Sequence, residues 1–136
     1  MMSPRRDHAG PSTTAVGRLA ESAACQHLQR RGLDILARNE LAGGAELDIV
    51  AREQLPGGEP TCVFVEVRAR RSVACGHPLE TIDRRKCRRL VHGARSWLLA
   101  HDLWERVEVR FDVCAVLLGD PPRVEWFKGA FDGDPA

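Results

Sequence analysis

At 136 residues with a formal net charge of +1, the chain is sized for one domain around one core and leaves no room for a second catalytic domain. That charge balance excludes a wholesale polycation, and no run of about eighteen apolar residues is present to span a membrane. Five cysteines, at 25, 62, 75, 87 and 114, form no CxxC pair and no zinc-type Cys/His spacing, and the polar N-terminus lacks the apolar run of a signal peptide, so the chain reads as a soluble cytoplasmic protein with reduced thiols.

Residues 1–12 predict a disordered arm, 13–131 the domain and 132–136 a tail. Ser12 or Thr13 can cap a first helix from about Thr14 to Arg31, which Gly32 stops. A strand follows from Leu33 to Asn39, then Gly43-Gly44, then an acidic strand at about 45 to 52. The turn Leu55-Pro56-Gly57-Gly58-Glu59-Pro60 joins it to a second acidic strand at 62 to 70 as a hairpin. A loop carrying Gly76 and Pro78 leads into a long helix from about Leu79 to Leu103, and strands at 107 to 118 and about 123 to 128 complete the chain. The order is helix, three strands, helix, two strands. The strand-helix-strand crossover in the middle implies an α/β domain with a mixed sheet flanked by helices.

The two acidic strands, Ala45-Glu46-Leu47-Asp48-Ile49-Val50 and Cys62-Val63-Phe64-Val65-Glu66-Val67-Arg68-Ala69-Arg70, hold carboxylates where strands usually bury hydrocarbon. Alternation puts Glu46 with Asp48 and Glu66 with Arg68, with valines on the other face, and the hairpin brings Asp48 near Glu66. Such a cluster needs a bound cation, a basic partner or open solvent, because burying it uncompensated costs several kcal/mol. In the first helix Glu21 shares a face with Gly17, Ala24 and Leu28. In the second the apolar stripe runs through Ile82, Leu90, Ala94, Trp97 and Leu98 with Lys86 inside it, while Arg84, Arg85, Arg88, Arg89, His92 and Arg95 fall on the opposite side. Nine Lys or Arg against two acids between Arg68 and Arg95 make a basic region beside the acidic one, which suggests a phosphate-bearing partner. Carboxylates from adjacent strands with a backbone carbonyl suit Mg²⁺ or Mn²⁺, which can activate a water against a phosphodiester.

Asp48, then Glu66-Val67-Arg68 about eighteen residues on, resembles the D…(D/E)-x-K signature of the restriction-endonuclease-like, PD-(D/E)xK nucleases, with Glu21 matching the helical glutamate many of them carry. From about Gly17 to Phe131 the chain more closely resembles the YraN family of small bacterial proteins. The shared pieces are Gly17 to Glu21, Arg38-Asn39, Gly44 to Ala51, Phe64 to Arg70, Lys86, Arg110 to Val113, and Ala130-Phe131. The resemblance implies an α-β-β-β-α-β nuclease core and Mg²⁺-dependent or Mn²⁺-dependent cleavage of DNA, branched DNA included, in the style of Holliday-junction resolvases, which often act as homodimers. Carried over by position, Asp48, Glu66 and the carbonyl of Val67 are metal ligands, Glu21 reaches the metal through water or helps align the site, and Glu46 supports them.

Two departures stand out. The family most often has Gly-Glu where this chain has Gly44-Ala45-Glu46, and the superfamily lysine is Arg68. Arginine stays protonated and cannot serve as a general base, although it can clamp a phosphate; Lys86, facing inward from the helix, can take the lysine's place. Catalytic candidates are therefore Glu21, Asp48, Glu66, Arg68 and Lys86. Nucleic-acid candidates are Arg70, Arg71, Arg84, Arg85, Arg88 and Arg89. Two other readings compete: a nucleic-acid-binding module that has lost turnover, and a protein-interaction scaffold whose acidic face takes a basic partner. Arg110-Phe111-Asp112 reads as a buried pair supporting the sheet, Trp97, Trp104 and Trp126 as packing residues, and His77 as the one histidine beside the site.

Overall fold

The computed structural model describes residues 13–72 and 76–133. The arm at 1–12 with its Ser12 cap, Cys75, and residues 134–136 of the tail lie outside them. Helix α1 (Thr13–Arg30) precedes β1 (Asp34–Ala42), β2 (Ala45–Glu53) and β3 (Thr61–Arg70). A one-turn 3-10 helix (Pro78–Thr81) and α2 (Arg84–Ala100) then lead to β4 (Glu108–Leu117) and β5 (Arg123–Phe131). The strands form one sheet in chain order. Only β3 and β4 run parallel, the pair that α2 connects, because parallel neighbours need a long crossover whereas antiparallel ones need only a turn.

Each helix covers one face of this mixed sheet, as its apolar stripe dictates. From α1, Ala20, Ala24, Cys25 and Leu28 pack on Ile49, Val63, Val65, Cys114 and Val116. From α2, Leu90, Ala94, Trp97 and Leu98 pack on Leu47, Val50, Phe64 and Phe111. There Phe64 meets Trp97 edge-on at 5.9 Å and stacks on Phe111 at 5.7 Å between ring centres. Cys25, Cys62, Cys87 and Cys114 are free and buried, and burial pushes the Cys62 and Cys114 thiols up to about 12. No described helix is long and apolar enough to cross a membrane.

Three expectations need correcting. The long helix from Leu79 to Leu103 is two pieces, with Ile82 extended between them. Asp83 starts α2 afresh by accepting from the Lys86 amide at 2.8 Å, while His77 Nδ1 and Glu80 cap the short 3-10 turn; two strong N-caps compete with one continuous helix. β1 runs past Asn39 to Ala42, since Gly43 and Gly44 both take positive φ (58° and 79°) and close a two-residue hairpin with Ala42 paired to Ala45. Trp104 is 38% exposed in the turn after α2, where Arg95 lies over its ring at 5.2 Å.

Asp112 is fully buried in β4. It accepts from Arg110 Nε at 2.8 Å and Nη2 at 2.9 Å, from Trp126 Nε1 at 2.9 Å and from the Gly129 amide at 2.9 Å. Arg110 also pairs with Glu53, which takes Lys128 Nζ at 3.1 Å. A carboxylate with four donors is a satisfied structural anion, as the reading of Arg110-Phe111-Asp112 supposed.

Candidate metal centre

β2 and β3 pair from Glu53 and Thr61 as far as Ile49 and Val65, and there the ladder ends. Asp48 and Glu66 hold the next positions, so the two carboxylates meet where the strands part. The Val67 amide donates to Asp48 Oδ2 at 2.9 Å rather than to a β2 carbonyl. A strand residue's amide and carbonyl point toward the same neighbour, so the Val67 carbonyl faces the same opening.

The alternation of β2 turns over at this point. Leu47 and Val50, three residues apart, both join the α2-side core, while Ile49 joins the α1-side core. β1 does the same on the facing rung: Arg38 and Asn39 both reach α1, whereas Ala37 and Glu40 face α2, Glu40 accepting from Trp97 Nε1 at 3.1 Å. Strict period-two counting cannot represent such a slip. Asp48 consequently lines two spaces. One is a groove of about 530 Å³ on the α1 side, walled by Gly17, Arg18, Glu21, Asn39, Glu46, Val67 and Ala69; the other is a small hollow toward α2 shared with Glu66.

Burial, reinforced by the charge of Glu66, pushes the Asp48 carboxyl up to about 7, although the Val67 amide works against the shift. Glu66 is 6% exposed. Its Oε2 stands 3.3 Å from Arg68 Nη2 and 3.5 Å from Lys86 Nζ. Among the described residues its Oε1 is buried without a donor, as is Arg68 Nε without an acceptor. A proton carried on Asp48, a buried water or a cation held between the two carboxylates would each satisfy that oxygen. Two carboxylates and a carbonyl are the all-oxygen set that Mg²⁺ and Mn²⁺ take, with water completing the shell. Among the described residues no three His, Cys, Asp or Glu side chains converge closely enough to hold an ion alone, so a cation here would rest on Asp48, Glu66, the Val67 carbonyl and water.

Glu21 is buried on α1 and lines the groove. Its Oε1 accepts from Asn39 Nδ2 at 2.7 Å and Arg38 Nε at 3.3 Å, and Arg38 Nη2 also reaches Ser22 Oγ at 3.1 Å. Glu21 is thus anchored to β1 rather than joined to Glu66. Lys86 lies inside the stripe of α2 and reaches the strand acid, as its helical angle predicts. Arg84, Arg85, Arg88 and Arg89 are exposed on the outer side of α2, outside the groove. Arg70 is partly committed to structure, donating to the Gly76 carbonyl at 2.6 Å. With Arg68, Arg71, His77 and Thr81 it lines a separate hollow of about 430 Å³. Arg18 and Asn39 are groove residues that the family resemblance takes in, within Gly17 to Glu21 and Arg38-Asn39, without giving either a role at the site. Asn39 carried one usable signal, an asparagine inside a strand pattern, where left-handed backbone is the usual reason for it.

The model of the uncharacterised protein family UPF0102 matches residues 20–116, from the second turn of α1 to the end of β4. A UPF0102 protein of Pseudomonas aeruginosa (strain LESB58) is 45% identical over 119 residues, 85% of this chain and 91% of the relative. Another, from Anaeromyxobacter dehalogenans (strain 2CP-C), is 47% identical over 126 residues, 92% of this chain and 90% of the relative.

Proposed function

The chain belongs to the uncharacterised protein family UPF0102, the YraN family its motifs resemble, and we propose that it is a divalent-metal-dependent endonuclease acting on DNA, branched or otherwise structured. The observation that carries this reading is the pairing of Asp48 with Glu66 at the point where β2 and β3 part, with one buried Glu66 oxygen left without a donor among the described residues in the small hollow toward α2, while Asp48 also lines the open groove on the α1 side.

Asp48, Glu66 and the Val67 carbonyl would hold Mg²⁺ or Mn²⁺, with Glu21 acting through water. Such an ion activates a bound water and neutralises charge on a phosphodiester. The chain's own groups then divide the remaining work. Lys86 and Arg68 offset the carboxylate charge at Glu66 and can turn toward a phosphate. Arg68, permanently protonated, acts only as a clamp. Lys86 can orient the attacking water or stabilise the leaving oxygen. The exposed arginines at 84, 85, 88 and 89, with Arg71, supply counter-charge for a DNA backbone beyond the groove.

The test incubates the full chain with single-stranded, duplex and four-way-junction DNA plus Mg²⁺ or Mn²⁺, beside the Asp48→Asn variant. Metal-dependent cleavage lost in the variant is expected; no cleavage of any substrate would overturn the reading. One observation favours a second reading, a DNA-binding module without turnover: both cations, Arg68 and Lys86, already engage a single oxygen of Glu66. Salt-sensitive binding of the same DNA panel without cleavage would support it.

A further inference from the structure

We infer that Asn39, on the edge strand, is a positioning residue for this site, setting both where Glu21 sits and which way Asp48 faces. The inference rests on the metal-site reading and concerns a residue outside the proposed ligand set.

Three observations converge on Asn39. Its φ is 52°, in the left-handed region that asparagine tolerates better than most side chains. This places two consecutive β1 side chains, Arg38 and Asn39, on the α1 side, where both donate to one oxygen of the buried Glu21 at 3.3 and 2.7 Å. It also lies between the pairs Arg38↔Ile49 and Glu40↔Leu47, which makes Asp48 its partner across the ladder. The alternation of β2 reverses at that same rung, Leu47 and Ile49 joining opposite cores.

The two slips are physically one. An edge strand and its neighbour must keep their pleats in phase to keep their hydrogen bonds, so a left-handed residue in β1 that reverses facing there is matched by a reversal in β2. The ladder from Ala42↔Ala45 to Ala37↔Val50 keeps constant register through the slip. Without it, Asp48 would sit on one face only and could not line both the groove and the hollow that holds Glu66. The Asn39 amide then fixes Glu21 on the groove wall. Together with Arg38 it holds the carboxylate aimed, as outer partners do for ligands at metal sites.

The experiment measures Mn²⁺ binding by calorimetry and thermal melting for wild type, Asn39→Gly, Asn39→Ala, Glu21→Gln and the double variant Asn39→Gly/Glu21→Gln. Glycine keeps the left-handed backbone and loses only the amide. Asn39→Gly is expected to fold, melt slightly below wild type and bind Mn²⁺ about tenfold more weakly; Asn39→Ala, deprived of both, should melt lower and bind more weakly still. In the double variant the glycine change should add nothing to Glu21→Gln, since residues acting through one another are non-additive. Wild-type affinity in both single Asn39 variants, or fully additive losses in the double variant, would overturn the inference while leaving the metal site standing. Absence of Mn²⁺ binding in wild type would overturn both.

Discussion

Lys86 on α2 and Glu66 on β3 form an ion pair of 3.5 Å across the space between helix and sheet. A lysine thus stands at the carboxylate from another layer, while the strand position two residues past Glu66 holds Arg68, 3.3 Å from the same oxygen. If the chain cleaves DNA, the compact ammonium of Lys86 fills the lysine's place at Glu66, a role that a planar guanidinium does not reproduce. Lys86→Ala should lower the initial cleavage rate by about 10²-fold or more, and Arg68→Lys by much less. The opposite ranking would return the role to the strand.

Asp48 has a carboxyl raised from 3.8 to about 7 by burial and by Glu66. The folded state therefore holds a proton that the unfolded chain releases, so stability is intact below the unfolded value and declines as pH rises from about 4 to about 7. Asn resembles the protonated acid. Asp48→Asn is expected to be more stable than wild type at pH 8, by about 1–3 kcal/mol, and close to wild type at pH 4. Urea unfolding at the two pH values measures this, and equal stability at pH 8 would show that the site does not strain the ionised carboxylate.

Asp112 gathers four hydrogen bonds with no exposure to solvent. Asp112→Ala leaves the Arg110 guanidinium half paired and the Trp126 and Gly129 donors orphaned, which should cost about 3–5 kcal/mol. Asp112 pairs with Val65 in the β3–β4 ladder, one rung from Glu66. Near-wild-type denaturant midpoints would mean that water readily replaces the carboxylate.

Gly93 lets α2 settle on the β1–β2 hairpin. A Cβ there would stand 2.9 Å from Ala45 Cβ, 3.0 Å from the Ala42 carbonyl and 3.3 Å from Leu47 Cδ2. Alanine in a helix gains about 1 kcal/mol over glycine, but overpacking costs about 1–3 kcal/mol. A backbone carbonyl cannot swing aside, so the clash should win. Gly93→Ala is expected to lower the melting temperature; a rise would show that the hairpin gives way easily.

Much of the architecture was legible because it depends on local regularities. Helical spacing of Glu21, Ala24 and Leu28 names the buried face of α1, and Lys86 inside the stripe of α2 follows from helical angle alone. The order of elements, with one long connection between β3 and β4, already implied a parallel pair inside an otherwise antiparallel sheet. Helix ends were less legible, since Asp83 and His77 as caps win only once the Leu79–Asp83 backbone is placed.

The sequence by itself determined that two carboxylates lie on neighbouring strands with a glutamate and a lysine facing them from two helices, because each position is set by periodicity within its own element. Only the tertiary structure decided how those groups combine. It ended the β2–β3 ladder one rung before Asp48 and Glu66, tied Glu21 to Asn39 and gave one Glu66 oxygen two cations and the other none. Pairing register, the rung that a left-handed residue meets across an edge strand and the distance from helix to sheet are relations between segments, which periodicity within one element does not fix.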